Sequence, residues 1–338
     1  MKSITVLMTT VVMGLVGCQS VSSNPSMTST RSELRHYSVA PAQVAENRID
    51  FKKVKKQENR PIVALVLGSG GARGYAHIGA IQILEQQGIH PDFIVGTSAG
   101  SLVGSIYASG KSAEELRNIA LSMKANDVRD IRLGKKGFFD GKKVEDFINQ
   151  QVDDVPLELL KTPMYVVATE LKEGKKVVFN YGNTGQAVRA SVSIPSMFIP
   201  TVIEHKEYVD GGLVSPVPVD VARDLGADII IAVDILARPI HTETSNVWGL
   251  FNQNINIMQS RLAQEELKRA DIVIQPDLRE KAHIFDVKGR EATMLAGEEA
   301  TLEKLNDISQ VYAAHKYTTG HKIHFLAAQE HEKLNSQE

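Results

Sequence analysis

Two short, uninterrupted apolar runs, each leading straight into a glycine-rich turn and then a helix, constrain this chain more than any other feature. The first run is Ile62-Val63-Ala64-Leu65-Val66-Leu67. It is followed by Gly68-Ser69-Gly70-Gly71-Ala72-Arg73-Gly74 and a helical pattern from Tyr75 to Gln87, with Ile78, Ile81 and Leu84 on one face. The second is Asp92-Phe93-Ile94-Val95, followed by Gly96-Thr97-Ser98-Ala99-Gly100 and a helix of small residues to about Ser109. Strands without polar alternation are buried on both faces, as in a parallel sheet covered by helices. Gly88 and Gly110 stand where left-handed helix C-terminal caps belong. Parallel strands joined by one crossover helix bring their following loops to the same, carboxyl edge of the sheet.

Composition narrows the function classes. The chain has 338 residues, 43% hydrophobic and 23% charged, enough apolar material for a large core. Length alone suggests either about two domains or one large α/β domain with appendages. The net charge of -2 gives no basic excess for nucleic acid, and 1 cysteine excludes an internal disulfide framework or a multi-cysteine metal site.

The two loops carry the chemistry. The first fails the dinucleotide pattern, because Arg73 falls where the last glycine belongs, and no Gly-Lys-Ser/Thr follows for a phosphate loop. Gly96-x-Ser98-x-Gly100, placed between strand and helix, is a nucleophile elbow: the turn holds the serine exposed and strained, and the flanking glycines, Gly96 and Gly100, permit the tight backbone. The amides of Gly70 and Gly71, on the neighbouring loop, face Ser98 as candidate oxyanion donors, with Arg73 supporting that loop or attracting an anion. The base is ambiguous from the residues themselves. A Ser…Asp…His triad has to draw on His77, which lies within a helix and reads as structural, or on His241 or His283, neither in a recognisable catalytic turn. The competing feature is Tyr208-Val209-Asp210-Gly211-Gly212, a short strand ending in a carboxylate on the glycine turn Gly211–Gly212; desolvation raises such a carboxylate's pKa and a direct hydrogen bond lets it take the serine proton.

Together, Gly68–Gly74, Gly96–Gly100 and Asp210–Gly212, with Arg189-Ala190-Ser191-x-x-Ile194-Pro195-x-x-Phe198-x-Pro200 between them, resemble the patatin-like phospholipase family over roughly Ile62 to Leu236. The resemblance implies a three-layer α/β/α sandwich with a mostly parallel central sheet. It also implies a Ser–Asp dyad without a catalytic histidine: Ser98 as nucleophile, Asp210 as base and later acid, and an oxyanion hole around Gly70 and Gly71. Ser69 departs from the family's strict glycine pattern, which has Gly at that position. The function so implied is a serine lipid acyl hydrolase of the phospholipase A or lysophospholipase type. The alternatives are an acyltransferase or thioesterase, weakened by Thr97 where such enzymes place a histidine, and a non-catalytic lipid-binding lipoprotein. No cofactor, no metal constellation, no nucleic acid and no protein partner is indicated; membrane lipids are the expected substrate and anchor surface.

The termini suggest where the chemistry happens. Lys2 and the apolar run Ile4–Gly17 are too short to span a bilayer but suit a secretory signal. The tetrad Leu15-Val16-Gly17-Cys18 resembles a bacterial lipobox, which implies lipidation of Cys18; Gln19 and Ser20 after it resemble outer-membrane sorting, facing the periplasm. The expected division is a signal peptide (1–17), a lipidated cysteine and flexible tether (18–60), a catalytic domain (61–309) and a frayed tail (310–338). Within the tether, Lys52, Lys53, Lys55 and Lys56 form a small basic cluster read as solvated linker or lipid contact. Further on, Ser112–Glu115 is a capping box. The basic segment 127–143, carrying Phe138 and Phe139, reads as a helix–loop connection with its aromatics in the core, or as a lid or interfacial patch. Strands are expected at 163–171, 176–179, 228–234 and 271–274, and helices at 186–193, 247–269 and 290–309.

Overall fold

The structure, a computed structural model, describes residues 40–46, 49–134, 136–236, 245–278 and 289–316. In chain order its first half contains α1 (Phe51–Glu58), β1 (Val63–Leu67), α2 (Tyr75–Gln86), β2 (Phe93–Thr97), α3 (Ala99–Ala108), α4 (Ala113–Ser122), α5 (Ala125–Val128), the strands β3 (Ile131–Gly134) and β4 (Gly137–Phe139), and α6 (Lys142–Gln151). The second half contains β5 (Met164–Glu170), β6 (Lys175–Phe179), α7 (Thr184–Val192), β7 (Thr201–Ile203), β8 (Lys206–Asp210), α8 (Val219–Asp224), β9 (Ile229–Val233), α9 (Val247–Leu267), β10 (Ile272–Ile274), α10 (Arg290–Glu303) and α11 (Leu305–Lys316).

The main sheet runs β10-β9-β1-β2-β5-β8-β7, with β6 also on β5; β3 and β4 form a separate hairpin. Strands β10, β9, β1, β2 and β5 are mutually parallel, β6 and β8 run antiparallel to β5, and β7 pairs antiparallel with β8. The sheet is therefore mixed and mostly parallel, with its loops of interest at the carboxyl ends of β1 and β2. Alternate residues of β1 feed two separate cores. Val63, Leu65 and Leu67 pack with Ile78 and Leu84 of α2, Ile106 of α3, Leu116 of α4, Ile148 of α6 and Met294 of α10. Ala64 and Val66 pack on the other face with Phe51 of α1, Val221 of α8 and Ala263 of α9. This is the three-layer α/β/α arrangement expected, and the period-two alternation of a strand buried on both faces produces it. The α4 capping box forms, Ser112 and Glu115 exchanging side-chain and backbone bonds.

Three expectations change. The tether drawn to residue 60 ends earlier, because part of it packs on the domain: the Gln43 N–H donates to the Tyr181 carbonyl at 2.8 Å, Ala42 is buried, and Phe51 is 3% exposed with its ring 4.4 Å from that of Phe93. Burying one phenylalanine contributes about 1.5–3 kcal/mol, and Val54 packs beside it, enough to dock a short helix whose other residues are polar. The lysine cluster is accordingly the outer face of α1, and Lys55 pairs with Asp228 at 2.6 Å. The tail drawn from residue 310 also begins too soon, because α11 continues to Lys316 and buries Ile308 and Tyr312. The segment 127–143 is a β-hairpin between α5 and α6, not a helix–loop connection, and it splits the two aromatics: Phe139 packs 5.6 Å from Phe198, while Phe138 is 56% exposed. Cys18, His241 and His283 lie outside the described residues.

Candidate active site

Ser98 is the residue between β2 and α3, with φ 54° and ψ -117°. A non-glycine residue in this region carries strain of order 1–3 kcal/mol, which persists only where the surroundings over-determine it. Here they do. The Ser98 N–H donates to Ser191 Oγ at 2.8 Å, and Ser191 Oγ in turn donates to the Val167 carbonyl at 2.6 Å. Thr97 Oγ1 donates to the Ser215 carbonyl at 2.9 Å, and Ser101 Oγ to the Ser98 carbonyl at 2.7 Å. The helix that starts the elbow's far side presses onto β1: a Cβ on Gly100 lies only 2.0 Å from the Leu67 carbonyl oxygen, and one on Gly96 only 2.6 Å from the Gly100 oxygen. Both positions exclude a side chain, as the elbow pattern requires.

Register brings Asp210 to it. Thr97 pairs with Val167 across β2 and β5, so Ser98 comes level with Ala168, and Ala168 pairs with Asp210 across β5 and β8. The small methyl of Ala168 leaves room for the two side chains to meet above it. Ser98 Oγ donates to Asp210 Oδ2 at 2.6 Å, and the Gly212 N–H donates to Oδ1 at 2.7 Å through the short 3-10 turn Gly211–Leu213. Thr169 Oγ1 holds the Asp210 carbonyl at 2.8 Å, and the Asp210 N–H donates to the Ser193 carbonyl at 2.9 Å. Both residues of the pair are 3% exposed. Burial pushes the Asp210 carboxyl up to about 6, against the opposing hydrogen bonds from Ser98 and Gly212. At neutral pH it is largely ionised yet far more basic than an exposed aspartate, and so is suited to accept a proton from Ser98.

The glycine loop lies beside the elbow. Gly71 has φ +59°, a left-handed conformation open to glycine, and starts a 3-10 turn to Gly74. The N–H groups of Gly70, Gly71 and Ala72 donate no hydrogen bond among the described residues. Gly71 and Ala72 line the cavity that contains Ser98; Gly70 does not, its α-carbon facing Ile235. Of the two glycines expected to supply oxyanion donors, Gly71 is thus at the cavity wall, and the N–H of Gly70 is left without an acceptor among the described residues. Arg73 does not line this cavity either. Its Nε has no hydrogen-bond partner among the described residues; burial lowers its pKa to about 10, and Asp234 acts against that. This geometry favours support of the loop over contact with an anion at Ser98. His77 is fully buried, with Nε2 2.8 Å from the Gly68 carbonyl, and burial lowers its pKa to about 4. It is a neutral prop beneath the loop, not a base.

From Ser98 an apolar cavity of about 160 Å³ runs into the α-helical layer over β1 and β2. Ile78, Leu102, Val103, Ile106 and Leu116 line it, together with Ile194 and Phe198 of the loop after α7; among the described residues Arg129 is its only charged lining residue. No histidine lines the cavity, and no cluster of metal-ligating side chains occurs among the described residues.

The motif-based reading assigned no role to several residues that support this site. Ser191 and Ser193, on and just after α7, hold the backbone of both Ser98 and Asp210. Arg189 anchors that helix by donating to Asp140 Oδ1 at 2.5 Å and Glu145 Oε2 at 3.1 Å. Glu266 of α9 accepts from Ser215 Oγ and, at 2.9 Å, from the Val217 N–H. The segment it grips supplies the Ser215 carbonyl to Thr97 and the Pro216 carbonyl to the Ser69 N–H at 2.8 Å. Glu266 thus stands behind both the elbow and the glycine loop. Burial raises its pKa to about 7, Asp220 adds to this, and the hydrogen bonds and Lys176 oppose it. Ser191 lies in a motif already singled out and was open to discovery there. Glu266 has no local signal, because its partners lie about fifty residues upstream in the chain.

Part of the chain is similar to known proteins. An NTE family protein of Mycobacterium tuberculosis, itself uncharacterised, is 38% identical over 178 residues, 52% of this chain and 49% of that one. The human patatin-like phospholipase domain-containing protein 6 is 33% identical over 200 residues, 56% of this chain and 14% of that one. The mouse patatin-like phospholipase domain-containing protein 7 is 30% identical over 198 residues, 56% of this chain and 15% of that one. The chain thus spans about half the length of the mycobacterial relative and a small part of the mammalian ones. Residues 65–223, from β1 through the elbow and the Asp210 turn to α8, match the family model for patatin-like phospholipases, so this stretch is a patatin-like phospholipase domain.

Proposed function

We propose that the protein is a serine acyl hydrolase acting on lipid esters through a Ser98–Asp210 dyad. The observation that carries the reading is the 2.6 Å hydrogen bond from Ser98 Oγ to Asp210 Oδ2 at the head of an apolar cavity. Ser98 Oγ attacks the ester carbonyl as its proton passes to Asp210. The unbonded amides of the glycine loop at Gly70–Ala72 are available to the negative charge that develops on the carbonyl oxygen, and the N-terminus of α3 adds its dipole. The tetrahedral adduct collapses with loss of the alcohol, which takes the proton from Asp210, and leaves an acyl-Ser98 ester. Water, deprotonated by Asp210, attacks that ester, the fatty acid departs, and the proton returns to Ser98 Oγ. The cavity supplies apolar contacts for an acyl chain, each buried methylene contributing about 0.8 kcal/mol.

Purified protein assayed on phospholipids, lysophospholipids and short-chain esters tests the reading. Hydrolysis is expected from the wild type and a loss of at least about a thousand-fold from Ser98→Ala; equal activity in the two overturns it. The motif ending at Cys18 supports the further proposal that the mature chain is anchored by lipid on Cys18, in a bacterial envelope and facing the periplasm from the outer membrane. Two or more acyl chains give stable anchoring, as one does not. The intact mass of protein extracted from membranes checks this: a lipid-modified chain beginning at Cys18 is expected, and an unmodified cysteine rules it out.

A further inference from the structure

Ala99, Leu102, Val103 and Ile106 of α3 line the cavity at positions i, i+3, i+4 and i+7, so it follows that helix for about 10 Å away from Ser98. Its far side is formed by α4 and α6. Three side chains there, Ile119, Met123 and Phe147, also line a polar groove on the outer surface, beside Ser122, Asn126 and Lys143. The same side chains therefore face the apolar interior on one side and a solvent groove on the other.

The carboxyl end of α4, which bears Ile119 and leads into Met123, is fixed from outside. Arg290, the first residue of α10, is 8% exposed and donates to the carbonyls of Ala120 at 2.6 Å, Leu121 at 2.9 Å and Met123 at 2.6 Å. Its guanidinium also lies 5.6 Å from the ring centre of Tyr75, another cavity-lining residue. A cation bonded to the last carbonyls of a helix satisfies acceptors that have no partner within the helix and complements its dipole. Arg290 lies well beyond residues 65–223, the part of the chain matched by the family.

We propose that Ile119, Met123 and Phe147 form a partition that sets the longest acyl chain the enzyme accepts, and that Arg290 is the positioning residue that keeps the partition in place. The inference rests on the hydrolase reading above and adds a length limit to it. A chain that stops short of the partition gains roughly four-fold in kcat/KM for each methylene buried. A longer chain has to displace packed side chains, so the gain ends at a defined length. Opening the partition joins the cavity to the groove and lets the chain continue.

The experiment uses the full-length protein and saturated monoacyl lysophospholipids and p-nitrophenyl esters from four to twenty carbons, with folding of each variant checked by its melting transition. The wild type is expected to show a rise in kcat/KM with chain length and then a break. Phe147→Ala and Met123→Ala are expected to move the break to longer chains. Ile119→Phe, which fills space instead of emptying it, is expected to move it to shorter ones. Arg290→Met is expected to blur the break, and Arg290→Lys to restore it in part. The readout is the ratio of rates on either side of the break within each variant, so an overall loss of activity cancels. A break at the same length in Phe147→Ala and Ile119→Phe overturns the partition while leaving the hydrolase reading intact. Absence of hydrolysis of every ester by the wild type overturns both.

Discussion

Residues 65–223 and the helices that follow them contribute to the same cavity in different ways. The first region supplies the groups to which the proposed chemistry is assigned: Ser98, Asp210, and the amides of the glycine loop. The second supplies Glu266 from α9 and Arg290 from α10, neither of which touches the reacting atoms. Both act chiefly by gripping backbone of the first region, Glu266 behind the elbow and Arg290 at the end of α4. The reacting atoms need sub-ångström placement relative to one another and are built on adjacent strands of one sheet. Support can come from any element that reaches the back of those loops, so it falls to whichever helix the topology brings there.

Breaking the first region is expected to have the largest effect. Asp210→Asn removes the proposed base, which general-base precedents place at about a hundred- to ten-thousand-fold in kcat. The same change is expected to stabilise the fold. Because burial raises the native pKa of Asp210 from its ordinary 3.8 to about 6, the native state holds this proton more tightly than the unfolded chain. Stability from that proton is present below about pH 4 and is lost as pH rises through about 6, up to about 3 kcal/mol at neutral pH. A higher melting temperature for Asp210→Asn at pH 7.5, with the advantage shrinking as pH falls through 6, is the expected calorimetric result. The wild type's kcat/KM is expected to fall on the acid side of pH 6, and a profile flat from pH 5 to 8 removes Asp210 as the base.

A smaller effect is expected from the second region. Glu266→Ala leaves Ser215 Oγ and the Val217 N–H without their acceptor and lets the segment behind Thr97 and Ser69 relax. A loss of about ten-fold in kcat, with KM less affected, is expected, since sub-ångström to ångström displacements near reacting groups cost up to about a hundred-fold. Glu266→Gln keeps an acceptor in place and is expected to recover most of the rate. It also removes a titration: with the Glu266 pKa raised by burial to about 7, with Asp220 and Lys176 as the neighbouring charges, the stability tied to its proton is lost as pH rises through about 7. Melting temperature against pH, compared between wild type and Glu266→Gln, measures this. Equal kcat in Glu266→Ala and wild type erases the distinction drawn between the two regions.

The site was legible in the sequence where chemistry needs a particular residue at a particular spacing. The elbow at Gly96–Gly100 can be read because only glycine tolerates the approach to Leu67 and the crowding at Ser98. The apolar runs at Ile62–Leu67 and Ile229–Val233 can be read because burial on both faces removes polar residues altogether. Other features had no such mark. Phe51 is one aromatic among lysines, so its docking against Phe93 is invisible to composition, and a tether was expected where a helix packs. Phe138 and Phe139 are adjacent and alike, and strand geometry sends them to opposite environments. The close packing of Gly70 against Ile235 depends on the path of one loop against a residue far along the chain.

By itself, the sequence determined the parallel α/β class, the two loops at one sheet edge, and the candidate nucleophile, because local geometry imposes these requirements on neighbouring residues. The tertiary structure decided which carboxylate meets Ser98, since that depends on β8 running antiparallel to β5 with Asp210 level with Ala168. It also decided where the cavity ends, because Arg290 reaches the last carbonyls of α4 from about 170 residues away. Strand register and contacts between distant helices follow from how the whole chain packs, and no short stretch of sequence contains them.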